Sequence, residues 1–231
     1  MRIAVSSSSF RRPLASGRLT QLEWVERCAS ALNVDGVLAD IADFPRTDVE
    51  YVAQLRKVAI DLGLVAFGVD APGLLAPGMP AAERDAALAV AREFGASIVR
   101  TALPPPGEVP PASFVEAVAV AKAASKAAKA ANVTLVVPPQ AGTLGPDLGE
   151  VRHLLKDVDS AWLRACPPAS ADPAAFGPKE RFPAFSFAAG DDPSGVSEAA
   201  RRGWILLAVP AGEAPWEEVG AVAATLRAGV R

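Results

Sequence analysis

Eight short apolar runs, nearly all followed by a stretch of helical periodicity, constrain this chain more than any other feature. They fall at 3–6, 36–39, 64–67, 97–100, 133–137, 161–164, 184–187 and 204–207. Helical patterns occupy 19–32, 48–63, 80–94, 113–131, 147–158, 193–202 and 215–226. The first of these has the clearest start, with Thr20 as N-cap, Glu23 three residues on, and Leu22, Val25 and Cys28 on one face. Gly63 and Gly95 stop the second and third. Only the sixth connection lacks a helix, because Pro167, Pro168, Pro173, Pro178 and Pro183 crowd it.

Near-continuous apolar runs mark strands covered on both faces, and their alternation with helices implies right-handed crossovers into a parallel sheet. Eight such units predict closure into a single α/β (β/α)8 barrel, with residues 1–231 as one domain. It is compact beside the usual ~250 residues, and its sixth βα unit is shortened. The alternative, an open doubly wound sheet, would want a phosphate-cradling turn after the first strand. Ser6-Ser7-Ser8-Ser9 has none of the glycines of the dinucleotide fingerprint.

Composition removes several classes of function. Lys and Arg number 23 against 26 Asp and Glu, a net charge of −3, so no global field draws in nucleic acid or an anionic membrane. The Lys122, Lys126 and Lys129 stripe then reads as the solvated face of an alanine-rich helix. No apolar stretch approaches the ~20 residues of a bilayer span, and the start of the chain is too short in apolar residues for a signal peptide. A cytoplasmic address is expected. Two cysteines, Cys28 and Cys166, are too few for a disulfide framework and are expected to be reduced.

The segment from Ser6 to Phe10, with Gly17, Leu19-Thr20, Glu23-Trp24, Asp35-Gly36-Val37 and Asp61-Leu62-Gly63-Leu64, resembles the xylose isomerase-like TIM barrels, which include sugar phosphate isomerases and epimerases. The similarity continues through Phe94-Gly95-Ala96, Val99-Arg100 and Asn132 to Leu135, spanning most of the chain as strand pattern. The resemblance implies a divalent metal at the upper rim, gripped by Glu, Asp, His and Glu from different strands. Carried over residue by residue, those ligands are missing. The fifth strand leads into Pro138-Pro139-Gln140, and the sixth, seventh and eighth ligand positions fall near Cys166, Ser186 (with Ala188-Ala189 following) and Ala208. The second strand has Leu38, with Asp40 two residues along. No metal and no other cofactor is therefore expected.

Other chemistries fare no better. The one histidine, His153, lies in a helical run, so neither a histidine-rich zinc cluster nor a Ser-His-Asp arrangement is supported. None of the six lysines falls at a strand end, where an imine-forming lysine belongs. Cys166 reads as a packing residue. Trp162, Phe185, Phe187 and Trp204 are either core fillers or a sugar-stacking wall. Asp191-Asp192 and Glu213 follow strands and are within reach of the rim.

What stands out is a pair of arginines. Arg100 ends the fourth run, and alternation puts Arg164 on the face of Cys166, taken as inward. A buried guanidinium needs a partner, and Asp40 and Asp70 are the candidates. The alternative use is to hold a phosphate or carboxylate of a small ligand between two planar forks. Asp40, Asp70, Arg100, Gln140 and Arg164 are thus the candidate ligand-binding residues, and catalytic residues are not assigned. Two function classes stay open. One is a barrel that has lost the metal chemistry and binds a small ligand, a sugar or sugar phosphate, or else a partner protein. The other is an isomerase or epimerase with a rearranged or metal-free site, using Asp40, Asp70 or Glu213.

Overall fold

The computed structural model describes residues 1–106, 113–172, 182–188, 190–210 and 212–229. Eight strands alternate with helices: β1 Arg2–Ser6, α1 Arg11–Ala15, α2 Gln21–Ala31, β2 Gly36–Asp40, α3 Val49–Asp61, β3 Val65–Asp70, α4 Ala81–Phe94, β4 Ile98–Arg100, α5 Phe114–Ala131, β5 Thr134–Val137, α6 Leu148–Val158, β6 Leu163–Ala165, β7 Phe185–Ala188, α7 Glu198–Arg202, β8 Trp204–Ala208 and α8 Pro215–Ala228. All pairings are parallel, in the order β6-β5-β4-β3-β2-β1-β8-β7. The edges β6 and β7 meet just beyond β6, through one bridge between Pro168 and Ser186. There Ser186 donates its N–H to Pro167 at 2.8 Å and Ala169 donates to Ser186 at 2.7 Å. The sheet curls into the expected TIM barrel.

Local chemistry explains most element ends. Thr20 and Glu23 form a reciprocal capping box at α2, and Ser113 and Glu116 form another at α5. Gly95 closes α4 in the left-handed region at φ 81°. Two details differ from the sequence reading. The stretch 193–202 is broken, because Asp192 caps a single turn at Pro193–Gly195 and Ser197 starts α7 afresh. The five-residue α1 was too short to show a period. The expected shortened sixth connection runs largely through 173–181, outside the described residues. No helix among the described residues is long and apolar enough to cross a membrane.

Two apolar layers hold the barrel. The larger lies between strands and helices, and includes Trp24, Val25, Cys28, Val52, Leu55, Leu88 and Phe94. The smaller fills the barrel itself with Ala4, Leu38, Phe67, Ile98, Val136, Cys166, Ala184, Trp204 and Leu206. A bulge between Val37 and Leu38 shifts the β2–β3 register, and Gly68 supplies the needed space. A Cβ there would sit 2.7 Å from Ile98 Cγ1. Trp204 stacks on Phe67 with centroids 4.2 Å apart, closing the N-terminal end of the barrel. These two aromatics are core fillers rather than a ligand wall.

Candidate functional site

Two residues beyond that inner layer, alternation brings a ring of eight inward positions to the C-terminal mouth. They are Ser6, Asp40, Asp70, Arg100, Pro138, Pro168, Ser186 and Ala208. The ring is divided: β1 to β4 supply a hydroxyl and three charges, whereas β5 to β8 supply two prolines, a serine and an alanine. All but Ser6 line a cavity of about 570 Å³, to which Arg11, Gln140, Phe187, Asp191 and Leu206 also contribute. TIM-barrel enzymes place their active sites at this end.

The charged half is a linked network. Register sets Asp40 beside Asp70 and Asp70 beside Arg100. Arg100 donates from Nε and Nη2 to the two oxygens of Asp70 at 2.5 and 2.6 Å, a planar two-pronged pair between largely buried side chains. Burial alone would pull the Arg100 pKa down, but the adjacent Asp70 carboxylate outweighs it and holds the guanidinium firmly charged. Ser6 Oγ donates to Asp70 Oδ2 at 2.7 Å. The remaining terminal nitrogen of Arg100, Nη1, makes no hydrogen bond among the described residues.

Asp40 is held differently. Arg11, reaching back from α1, forms an ion pair with it. The Ala42 N–H donates to its Oδ1 at 3.0 Å, and its own N–H donates to Ser7 Oγ at 2.8 Å. Burial raises the Asp40 pKa above the usual carboxylate range, and Asp70 and Asp43 push the same way, against Ala42 and Arg11. The four-serine run, which the sequence reading left without a role, is the scaffold of this half. Ser6 holds Asp70, Ser7 donates to Asp43 at 2.6 Å, and Ser9 Oγ accepts from the Val209 N–H at 2.9 Å, tying β1 to the end of β8.

This arrangement has a pH signature. The native chain keeps the Asp40 proton to higher pH than the unfolded chain does, so stability falls as pH rises from the ordinary carboxylate pKa through the raised one. Asp40→Asn keeps the acceptor for Ala42 and removes that ionisation. Urea unfolding across a pH series is expected to show the variant gaining on the wild type as pH rises through that window. The Arg11 pair offsets little, since Arg11 is 53% exposed.

Four of the five sequence candidates, Asp40, Asp70, Arg100 and Gln140, line this mouth, and Arg164 does not. Its inward direction is right but its height is wrong. Arg164 pairs with Val136, one layer below Pro138, and its Nη1 donates to the carbonyls of Ser160 at 2.9 Å and Leu163 at 3.2 Å, at the opposite end. No Arg100–Arg164 clamp forms. Cys166 lies on the same face between Arg164 and Pro168, fully buried, with its thiol pushed up to about 12 by burial. Glu213 lines a separate hollow. His153 sits on the surface of α6, stacked on Phe114 at 4.5 Å. Arg11 was missed, and its only sequence signal was the pair Arg11-Arg12 directly after the serine run.

The donor set does not suit a divalent metal. Among the described residues no three His, Cys, Asp or Glu side chains converge. Both mouth carboxylates on the strands already carry guanidinium partners, and the opposite half of the ring, Pro138, Pro168, Ser186 and Ala208, offers no carboxylate or imidazole.

The fold is shared with solved TIM barrels described as xylose isomerase-like and with sugar epimerases. Among solved structures, D-psicose 3-epimerase from Clostridium cellulolyticum H10, crystallised with D-tagatose, superposes with a TM-score of 0.73 at 11% identity, covering 100% of both chains. The 3-keto-D-glucoside 4-epimerase from E. coli gives 0.75 at 13% identity over 99% of each chain. A probable 3-DHS dehydratase from Bacillus anthracis gives 0.75 at 16%, covering 98% of this chain and 99% of its own. No family model and no curated protein matches the chain.

Proposed function

We propose that the protein binds a sugar-like, polyhydroxylated small molecule in the barrel mouth, and that it does so without the divalent-metal chemistry of sugar isomerases. The observation that carries this reading is the divided ring. On one side, salt-bridged Asp40, Asp70 and Arg100 offer fixed acceptors and the open Nη1 donor. On the other, Pro138, Pro168 and Ala208 present a low-polarity wall suited to the C–H face of a sugar ring. The epimerase structures of the same fold support a sugar as the ligand class.

Local charge favours a neutral sugar over the anionic one that two free arginines would suit. Asp40, Asp70 and Asp191 line the cavity against Arg11 and Arg100, so its net charge is negative. Calorimetric titration with neutral ketoses and aldoses and their phosphates tests this, with Arg100→Gln as the control. Saturable binding of a neutral sugar, weakened in the variant, is expected. Binding of sugar phosphates alone, or binding indifferent to Arg100, would overturn it.

A second reading, a metal-free isomerase or epimerase, draws support from Asp40, a carboxyl at the mouth whose burial raises its pKa above the usual carboxylate range, the direction that favours proton exchange with a substrate. Incubation of the bound sugar in D2O distinguishes the two. Deuterium at a carbon beside the carbonyl marks catalysis, and its absence marks a binder.

A further inference from the structure

Outside the barrel mouth, the loops around α1 and the start of α8 enclose a second hollow of about 490 Å³, lined by Arg12, Arg18, Arg27, Glu213 and Trp216 among others. Three guanidinium groups share it with one carboxylate, in a protein whose overall charge is −3. None of the three forms an ion pair among the described residues. Arg18 Nε donates to Ser16 Oγ at 3.0 Å, and Arg27 acts on Glu23, one turn back along α2, only through its charge, while that carboxylate is hydrogen-bonded to the Thr20 cap. The cluster has a sequence basis as well. The first 20 residues hold four arginines and no acidic residue, and Arg27 lies two helical turns into α2.

Arg27 is not a loose surface arginine. Its guanidinium carbon lies 4.8 Å from the centre of the Trp216 ring, and Trp216 packs in turn on buried Phe10 at 4.3 Å between centroids. That stacking fixes the plane of the fork while leaving its N–H edges open. The Trp216 ring already carries Arg27 and packs on Phe10, so the groups the hollow leaves to a ligand are the guanidinium N–H edges. What remains is a place for a compact anion. A carboxylate matches one planar fork, whereas a tetrahedral phosphoryl dianion presents oxygens to several forks at once.

We propose that this hollow is a binding site for a phosphoryl group, separate from the barrel mouth and independent of what the mouth binds, with Arg27 as its oriented donor and Arg12 and Arg18 as flanking cations. Glu213 sets the affinity by opposing the anion.

Calorimetric titration of the full chain with inorganic phosphate, at constant ionic strength maintained with chloride, tests the site. Arg27→Gln is expected to weaken binding about tenfold, the loss of roughly one charge-assisted hydrogen bond. Glu213→Gln is expected to tighten it, an effect that misfolding does not produce. Lys126→Gln, on the exposed face of α5, is expected to change nothing. Methyl phosphate, run in parallel, separates a site for phosphorylated metabolites from one for free phosphate. Binding no stronger than that of chloride, or equal affinities in wild type, Arg27→Gln and Glu213→Gln, would overturn the proposal. So would phosphate binding that follows Arg100→Gln instead of Arg27→Gln.

Discussion

Replacing Arg100 with leucine is expected to lower folding stability by about 3–5 kcal/mol, because it strands the Asp70 carboxylate in a largely buried position with only Ser6 to answer it. The cost comes from the uncompensated charge rather than from the pair itself. A double variant, Arg100→Leu with Asp70→Leu, is therefore expected to recover most of the loss, as buried ion pairs exchanged for apolar residues commonly do. Urea denaturation of both variants checks this. A single variant as stable as the wild type would show that Asp70 finds water or another donor in the mouth.

The second large effect is expected at the other end of the barrel. Trp204 is 6% exposed, stacks on Phe67 and lies under the guanidinium of Arg2, 4.6 Å from its ring centre. Gly36 faces it so closely that a Cβ would meet the indole at 3.1 Å. Removing the ring in Trp204→Ala opens a cavity that β1, β2 and β3 are too rigidly hydrogen-bonded to fill, so a loss of about 3–5 kcal/mol is expected. The urea midpoint should fall with little change in slope. Trp204→Phe, which keeps the stacking on Phe67, should lose much less.

The barrel was legible in the sequence because a parallel strand covered on both faces must be apolar throughout, and eight such runs survive casual inspection. Heights within the barrel were not. Alternation says which face a residue takes, and it did so correctly for Arg164. It does not say how far along the barrel axis a strand begins. Arg164 lies in a three-residue strand whose inward positions at the mouth come later, at Pro168. Arg100 ends its strand level with Asp70, and that register picks Asp70 over Asp40 as its partner. Asp40 takes Arg11 instead, from a helix too short to leave a periodic trace. The serine run was given no role in the site because hydroxyls announce no partner. Its partners, Asp70, Asp43 and Val209, are 64, 36 and 200 residues away in sequence.

The single bridge between Pro168 and Ser186 makes this barrel a clasp rather than a hoop. Every other pair of neighbouring strands shares at least three registered positions, and here proline, with no N–H to give, occupies one side of the only one among the described residues. Local opening is expected to concentrate at that fastening, and hydrogen-exchange measurements are expected to show the amides of Ala169 and Ser186 exchanging ahead of their neighbours in β5 and β8. Of the low-polarity wall of the mouth, Pro168 sits on one lip of this clasp, and Pro138 and Ala208 stand on the strands just behind the two lips.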